Sequence, residues 1–532
     1  MTDWLLSLVA LVPLVLVLLT MMRLRWSSAR AGALGWAAAL LLAATIFRAP
    51  PTLLWYAHLR SLFLSLYVLY IIWTALLLYH VIAEAGAIQD IGRGISRLTG
   101  EPLTQLLILA WVFASFLQGI AGFGVPVAVV TPLLIGLGFE PMLALVATGI
   151  AHGWAVTFGS AGSSFYTMVA VTDLPGEALA PAAALLLGAM AWFCGGSVAH
   201  LFGGWAAVAR GALLIALAGL AMAGVQYALA AAGFWAIAAF GGGLVGMLAV
   251  VPLARLPRYR GAPTGRQPGE GRLRERLPVA LSAYALLLLV VLVADLVPFL
   301  HQLLNRVELN YTFPRVTTGL GWVVEAGKGR SISLFGHAGA LIGYTSLLAF
   351  FIYRAAGRYT PGASSRIVRK TLAGATGSTL GILALVAMAL VMDNSGMVFA
   401  IADGLRRLAP GALYPLAAPF IGALGAFLTG SNTNSNVIFA PLQQQVAALL
   451  DLSTAVILAA QTTGGALGST LAPAKILVGA STAHVAGREG EVLRRSLPYV
   501  LVLLLLVGVL SYLLLYATDP TGFGNPSGPG QA

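Results

Sequence analysis

Between the apolar runs "GALGAF" and "VIFAPL" the chain places Thr429-Gly430-Ser431-Asn432-Thr433-Asn434-Ser435-Asn436 without a single charged residue. Hydroxyl and amide side chains at adjacent positions offer neutral donors and acceptors at close range. They can serve backbone groups freed where a helix breaks, or they can hold a small anion and a hydroxyl beside it. The plainer reading is a polar external loop, since Asn, Ser and Gly are common turn residues. A second unusual stretch runs Gln118-Gly119-Ile120-Ala121-Gly122-Phe123-Gly124, followed by Pro126 and Pro132. Glycine costs about 1 kcal/mol in a helix interior and proline about 3. So many breakers predict non-helical backbone.

The chemistry these stretches can do depends on what surrounds them. Of 532 residues, 59% are hydrophobic and only 9% are charged. Soluble domains carry about 25% charged residues, so the composition requires a bilayer. A bilayer core of about 30 Å needs roughly 20 apolar residues per helix. Runs near that length begin at 4 and recur to 516, which predicts about 12–14 transmembrane helices. The expected fold is an all-α polytopic membrane protein, multi-pass in the plasma membrane. The formal net charge of +12 sits in short loops between these runs. That is the positive-inside pattern and not a nucleic-acid surface. Arginine-rich segments 254–276, 354–370 and 488–495 are expected on the cytoplasmic side. The first of them divides the chain into an N-terminal half, 1–254, a cytoplasmic linker, 255–277, and a C-terminal half, 278–516. The tail, 517–532, reads as disordered.

Each half carries one broken segment, 116–141 and 427–453. Setting Phe116-Leu117 on Phe427-Leu428 superposes Gly119 on Gly430, Glu140 on Asp451 and Gly153 on Gly464. Paired interruptions in two halves of a membrane chain point to inverted repeats with broken or re-entrant segments around a transporter's binding site. At membrane depth such backbone is tolerated only where protein or a water-filled cavity covers it. Helices opening after the two breaks would aim their N-termini at one carboxylate. The candidate substrate contacts are therefore Gln118, Gly122, Phe123, Gly124, Ser431, Asn432, Thr433, Asn434 and Asn436, with Thr462, Thr463 and Gly464 from the second Gly-rich segment.

Ionisable residues inside a membrane are costly and point to function. Asp393, at the end of an apolar run, reads either as an ion-coupling acid or as an interfacial cap. Lys475 reads as an anion contact or as a side chain reaching an interface. His152 reads as a coupling group or as a neutral core histidine. One cysteine, Cys194, and seven scattered histidines give no metal cluster, and no phosphate-binding GxxxxGK[ST] loop occurs. Neither cofactor nor metal is expected. Energy would come from an ion gradient or from the substrate gradient.

The motifs "AGFGVPVAV" with "LLIGLGFEP", and "FLTGSNTNSN" with "TTGG", resemble those of the L-lactate permease family across nearly the whole chain. The resemblance implies a bacterial inner-membrane secondary transporter that imports small 2-hydroxy monocarboxylates such as L-lactate, D-lactate or glycolate. It implies proton symport and no enzymatic activity. The chain departs from the family's pattern at three places. Gln118 stands where the resemblance implies a glutamate, Asn432 where it implies an aspartate, and Ser469 where it implies a lysine. Asp393 stands where it implies an asparagine, and Lys475 lies six residues beyond Ser469. Sodium-coupled or uncoupled carriage of another organic anion therefore stays open as the alternative. A membrane-embedded enzyme is the weaker one. The expected partners are the small anion, a coupling proton or sodium ion, and the lipid bilayer, with a homodimer left open.

Overall fold

The computed structural model describes residues 3–122, 124–261, 270–408 and 411–516. The expected tail, 517–532, part of the linker, 262–269, and Phe123 lie outside the described residues. Among those described, ten helices are long and apolar enough to cross a membrane. A bent pair, Pro141–Ala155 with Gly159–Thr172, raises this to 11. The chain is an all-α multi-pass membrane protein. The apolar runs and these helices do not map one to one. The stretch Gly176–Ala231 is two helices joined by a sharp kink at Gly203–Gly204, where Gly204 takes φ +63°, so its two apolar runs form two helices. The run 453–480 is divided between the helices Thr454–Gly468 and Pro473–Thr482.

Both halves contain the same order of elements. In the first, a helical segment Pro102–Ile120 stops at Ala121, and the chain resumes as the helix Val125–Gly136. It turns into Pro141–Ala151, passes a single 3-10 turn, Gly153–Ala155, and continues as Gly159–Thr172. In the second, Tyr414–Thr429 stops at Gly430 and resumes as Asn432–Leu449. Thr454–Gly468 follows, then a 3-10 turn, Ser469–Leu471, then Pro473–Thr482.

Local chemistry explains the breaks. Gly124 at φ +86° and Gly430 at φ +76° take left-handed backbone that favours glycine. Ser431 then caps the next helix, its hydroxyl accepting from the Asn434 N–H at 3.4 Å. Glu140 does the same for Pro141–Ala151, accepting from Leu143 N–H at 2.6 Å, and Pro141 occupies the first turn, where no N–H is needed. Close helix contact in lipid depends on small residues. A Cβ on Gly422 would lie 2.0 Å from the Gln461 carbonyl oxygen, and one on Gly464 would lie 2.0 Å from that of Pro419. The helices Tyr414–Thr429 and Thr454–Gly468 therefore touch backbone to backbone.

Charges mark the two ends of the bundle. Glu84 accepts from Arg366 at 2.6 Å and from Lys370 at 3.0 Å, and Asp90 pairs with Arg358. These contacts tie the start of the helix Ala363–Asn394 to the end of Pro51–Glu84, and Arg358 before it to the helix Ala87–Ser96. At the opposite end lies an element the all-helical expectation lacks, a β-hairpin. Three two-residue pairings zip Glu308–Leu309 to Ile332–Ser333, Thr312–Phe313 to Gly327–Lys328 and Val316–Thr317 to Val323–Val324. Its turn is closed by Thr318, whose N–H donates to the Trp322 carbonyl at 2.8 Å. The hairpin lies over the bundle: Gly319 N–H donates to Arg48 O at 2.9 Å and Trp322 packs on Phe399.

Candidate substrate site

The polar stretch after Gly430 forms the first turn and a half of a buried helix, not an external loop. Asn432, Thr433, Asn434 and Asn436 are all buried there. Their partners come from both halves of the chain. The Asn432 amide donates to Thr157 Oγ1 at 3.1 Å and to Thr462 Oγ1 at 3.3 Å. The Asn436 amide donates to the Ser164 carbonyl at 3.0 Å and to Thr462 Oγ1 at 2.9 Å. Thr433 and Ser164 share a hydroxyl–hydroxyl bond of 3.0 Å, and Thr157 and Thr462 one of 3.2 Å. This network joins the two halves at the level of the breaks.

The segment on the far side, Thr157–Ser164, was not among the residues singled out from sequence. Its backbone is unusual. Ser160, Ala161 and Gly162 take φ of 49°, 54° and 75° in succession. Left-handed backbone costs about 1–2 kcal/mol for each non-glycine residue. Strain of this kind is held in place by its surroundings and gathers at functional sites. What it does here is turn Ser160 Oγ toward the first break, where it accepts from Gly122 N–H at 2.9 Å. A Cβ on Gly122 would lie 2.2 Å from that oxygen and 3.0 Å from Gln118 Nε2, which puts Gln118, Gly122 and Ser160 in one cluster. The sequence signal was present in "TFGSAGSS", but a Gly-Ser string inside an apolar run reads equally well as close helix packing.

Several buried polar atoms in this region have no partner among the described residues: Asn432 Oδ1, Asn436 Oδ1, Thr463 Oγ1 and His152 Nε2. Each such atom costs free energy unless it meets a ligand or water. Asn432 Oδ1 lies against Gly465, where a Cβ would sit 2.2 Å from it, so the absence of a side chain there makes room for the amide. His152 Nδ1 lies 2.7 Å from the Thr148 carbonyl. A carbonyl only accepts, so Nδ1 carries the proton and Nε2 is the free acceptor. Lys475 Nζ donates to Ser469 Oγ at 3.0 Å, so the ammonium returns to the Ser469 position, and it is near enough to His152 to interact with it electrostatically.

Gly464 faces Pro419 backbone, so its place is helix packing. Gly124 supplies the left-handed turn before Val125. Asp393 is not beside the Asn432–Asn436 network. It sits one residue before the end of the helix Ala363–Asn394, in the wall of a separate cavity under the β-hairpin. Groups of three or more metal-ligating side chains are absent among the described residues.

The model of the L-lactate permease family matches residues 6–518. The chain belongs to this family. Relatives include the glycolate permease of Escherichia coli, 25% identical over 96% of both chains. The L-lactate permease of Streptococcus iniae is 30% identical over 73% of this chain and 79% of its own. That of Bacillus subtilis is 25% identical over 95% of both. Among solved structures, the YdaH transporter of Alcanivorax borkumensis is a distant likeness. It has a TM-score of 0.46 and 17% identity, and the match covers 85% of each chain. The family member described here is thus a multi-pass bacterial membrane transporter and not an enzyme.

Proposed function

We propose that this permease carries small 2-hydroxy monocarboxylates, of the lactate and glycolate type, by alternating access around the Asn432–Asn436 network. The observation that carries the reading is the pair of unpartnered amide oxygens, Asn432 Oδ1 and Asn436 Oδ1, buried beside a helix N-terminus. A 2-hydroxy acid needs both features at once. Its carboxylate needs donors and a positive dipole end, which the opening turn at Ser431–Thr433 and the Thr463 hydroxyl offer. Its hydroxyl needs an acceptor, which an amide oxygen offers. The printed names of the relatives, lactate and glycolate permeases, agree with this chemistry.

The repeated order of elements and the convergence of the breaks at 121–124, 157–162, 430–431 and 469–472 support two halves of inverted topology. Contacts along the bundle fit this. Leu133, beyond the first break, packs at Gly92 near the basic-loop end, whereas Gln444, beyond the second, bonds Thr172 toward the hairpin end. We assign inward import with proton symport, with Asp393 as the acid that takes the proton. The charged and titratable groups around that acid are Arg60 on Pro51–Glu84, Asp173 at the end of Gly159–Thr172, and Tyr311 and Arg330 on the hairpin. The helix Asn432–Leu449 faces it only with the neutral Gln444 and Gln445. Sodium coupling is the second reading, favoured by the same unpartnered amide oxygens, since carbonyl-type oxygens are sodium ligands in broken-helix carriers.

The test is uptake of labelled lactate into liposomes holding the purified protein, with either a proton or a sodium gradient imposed. Accumulation driven by the proton gradient alone is expected. Accumulation that requires sodium replaces the proton with the second reading. Absence of saturable uptake under both gradients overturns the substrate assignment.

A further inference from the structure

Beneath the β-hairpin lies a cavity of about 130 Å³, lined by several charged side chains. Arg60 enters from the helix Pro51–Glu84, and Arg330 and Tyr311 from the hairpin. Asp393 comes from the helix end, and Asp173 and Gln444 from the two helices that carry the central network. Neither arginine has a carboxylate ion-pair partner among the described residues. Arg60 donates to the neutral Asn394 Oδ1 at 2.8 Å and lies over the Phe313 ring at 4.4 Å. Arg330 lies over the Tyr67 ring at 5.1 Å. Arg60 also hydrogen-bonds Tyr311. Guanidiniums stacked on rings are held in place, and their remaining donors form a fork that matches a carboxylate. His337 beside them adds no charge, since burial and the nearby Arg330 push it down to about 4.

The cavity is joined to the central network by two parallel helices. Ser164 meets Thr433 and Asn436 at one level, and Thr172 meets Gln444 at another, where Gln444 Nε2 donates to the Thr172 carbonyl at 3.1 Å. Eight residues of helix separate Ser164 from Thr172, about 12 Å at the α-helical rise. The Gln444–Thr172 bond thus bridges the two helices in the wall of the cavity, on the side of the network.

We propose that this cavity is an outer docking site for the substrate carboxylate. Arg60 and Arg330 are its anion contacts, and the Gln444–Thr172 bridge is the closed door between it and the central site. This inference rests on the carboxylate-carrier reading. Asp173 shares the cavity, and so does Asp393 when it carries no proton, so its two positive charges are then balanced by two negative ones. The anion is therefore held briefly and passed on, which suits an entry site.

The test uses right-side-out and inside-out membrane vesicles and compares KM for lactate from each face. Arg60→Gln and Arg330→Gln are each expected to raise KM from the hairpin face about tenfold or more, the loss of a charged hydrogen bond, and to leave KM from the opposite face unchanged. Arg330→Lys, which keeps the charge, is expected to recover part of the loss. The unchanged opposite-face KM also shows that each variant is folded. Arg330 lies on the hairpin outside the helix bundle, so it carries the test if Arg60→Gln fails to insert. Unaltered hairpin-face KM in Arg330→Gln, or an equal rise from both faces, overturns the docking site while the carrier reading stands. Absence of carboxylate transport by the unaltered protein overturns the carrier reading itself, and the docking site with it.

Discussion

At the scale of single residues the account turns on which polar atoms are spoken for. Thr463 Oγ1 is buried and has no partner among the described residues, whereas the Thr167 hydroxyl donates to the Ser163 carbonyl of its own helix. Thr463→Val keeps the shape and removes only the hydroxyl. A hydrogen bond to a charged ligand is worth about 1.5–3 kcal/mol, so KM for lactate is expected to rise roughly 10- to 150-fold at the usual 1.4 kcal/mol per decade. Thr167→Val serves as the control and is expected to leave KM within about twofold. Side-by-side uptake assays check both, and equal behaviour of the two would remove Thr463 from the site. Gly465→Ala makes a complementary prediction. Its new methyl would lie 2.2 Å from Asn432 Oδ1, so the amide must turn away. Transport is expected to fall about tenfold or more, by the same hydrogen-bond value, while the amount of protein in the membrane is unchanged. The stretch 431–436 was legible because uncharged polar residues stand out in an apolar chain. Its partners at Thr157 and Ser164, and Ser160 beside the first break, were not, because three successive left-handed residues leave no mark on a Gly-Ser string. Nor was Arg60 legible, since one arginine in a long apolar helix reads as a residue near its end.

At the scale of elements, the breaks are built from glycine geometry and the contacts from glycine absence. Gly422 and Gly464 allow the helices Tyr414–Thr429 and Thr454–Gly468 to meet at backbone distance. A methyl at either position collides with a carbonyl oxygen that cannot move alone. Gly422→Ala and Gly464→Ala are each expected to destabilise the folded carrier by about 1–3 kcal/mol, the usual cost of overpacking. A lowered midpoint of thermal unfolding in detergent would show this, and midpoints equal to the unaltered protein's would contradict the packing role given to Gly464. The broken helices could be read from the Gly and Pro spacing, because breakers act locally. The β-hairpin 308–333 could not. Its strands pair only two residues at a time and show no sustained alternation of apolar and polar side chains. The two apolar runs within Gly176–Ala231 do form two helices, divided by the kink at Gly203–Gly204.

At the scale of the whole molecule, the two halves meet through polar side chains, and the route to them passes the cavity under the hairpin. If Asp393 takes the coupling proton there, Asp393→Asn keeps exchange of lactate across the membrane and loses uptake driven by a proton gradient. Normal gradient-driven accumulation in that variant would remove Asp393 from the coupling step. The claim on which the rest depends is that the central network reads a carboxylate together with its neighbouring hydroxyl. Propionate has the size of lactate without that hydroxyl. The most direct measurement is competition against labelled lactate in counterflow, with the purified protein in liposomes loaded with unlabelled lactate. Glycolate and lactate are expected to compete comparably, and propionate at least about tenfold more weakly, the value of one buried hydrogen bond left unmade. Propionate competing as well as lactate, or counterflow of labelled lactate failing to occur at all, would contradict the account.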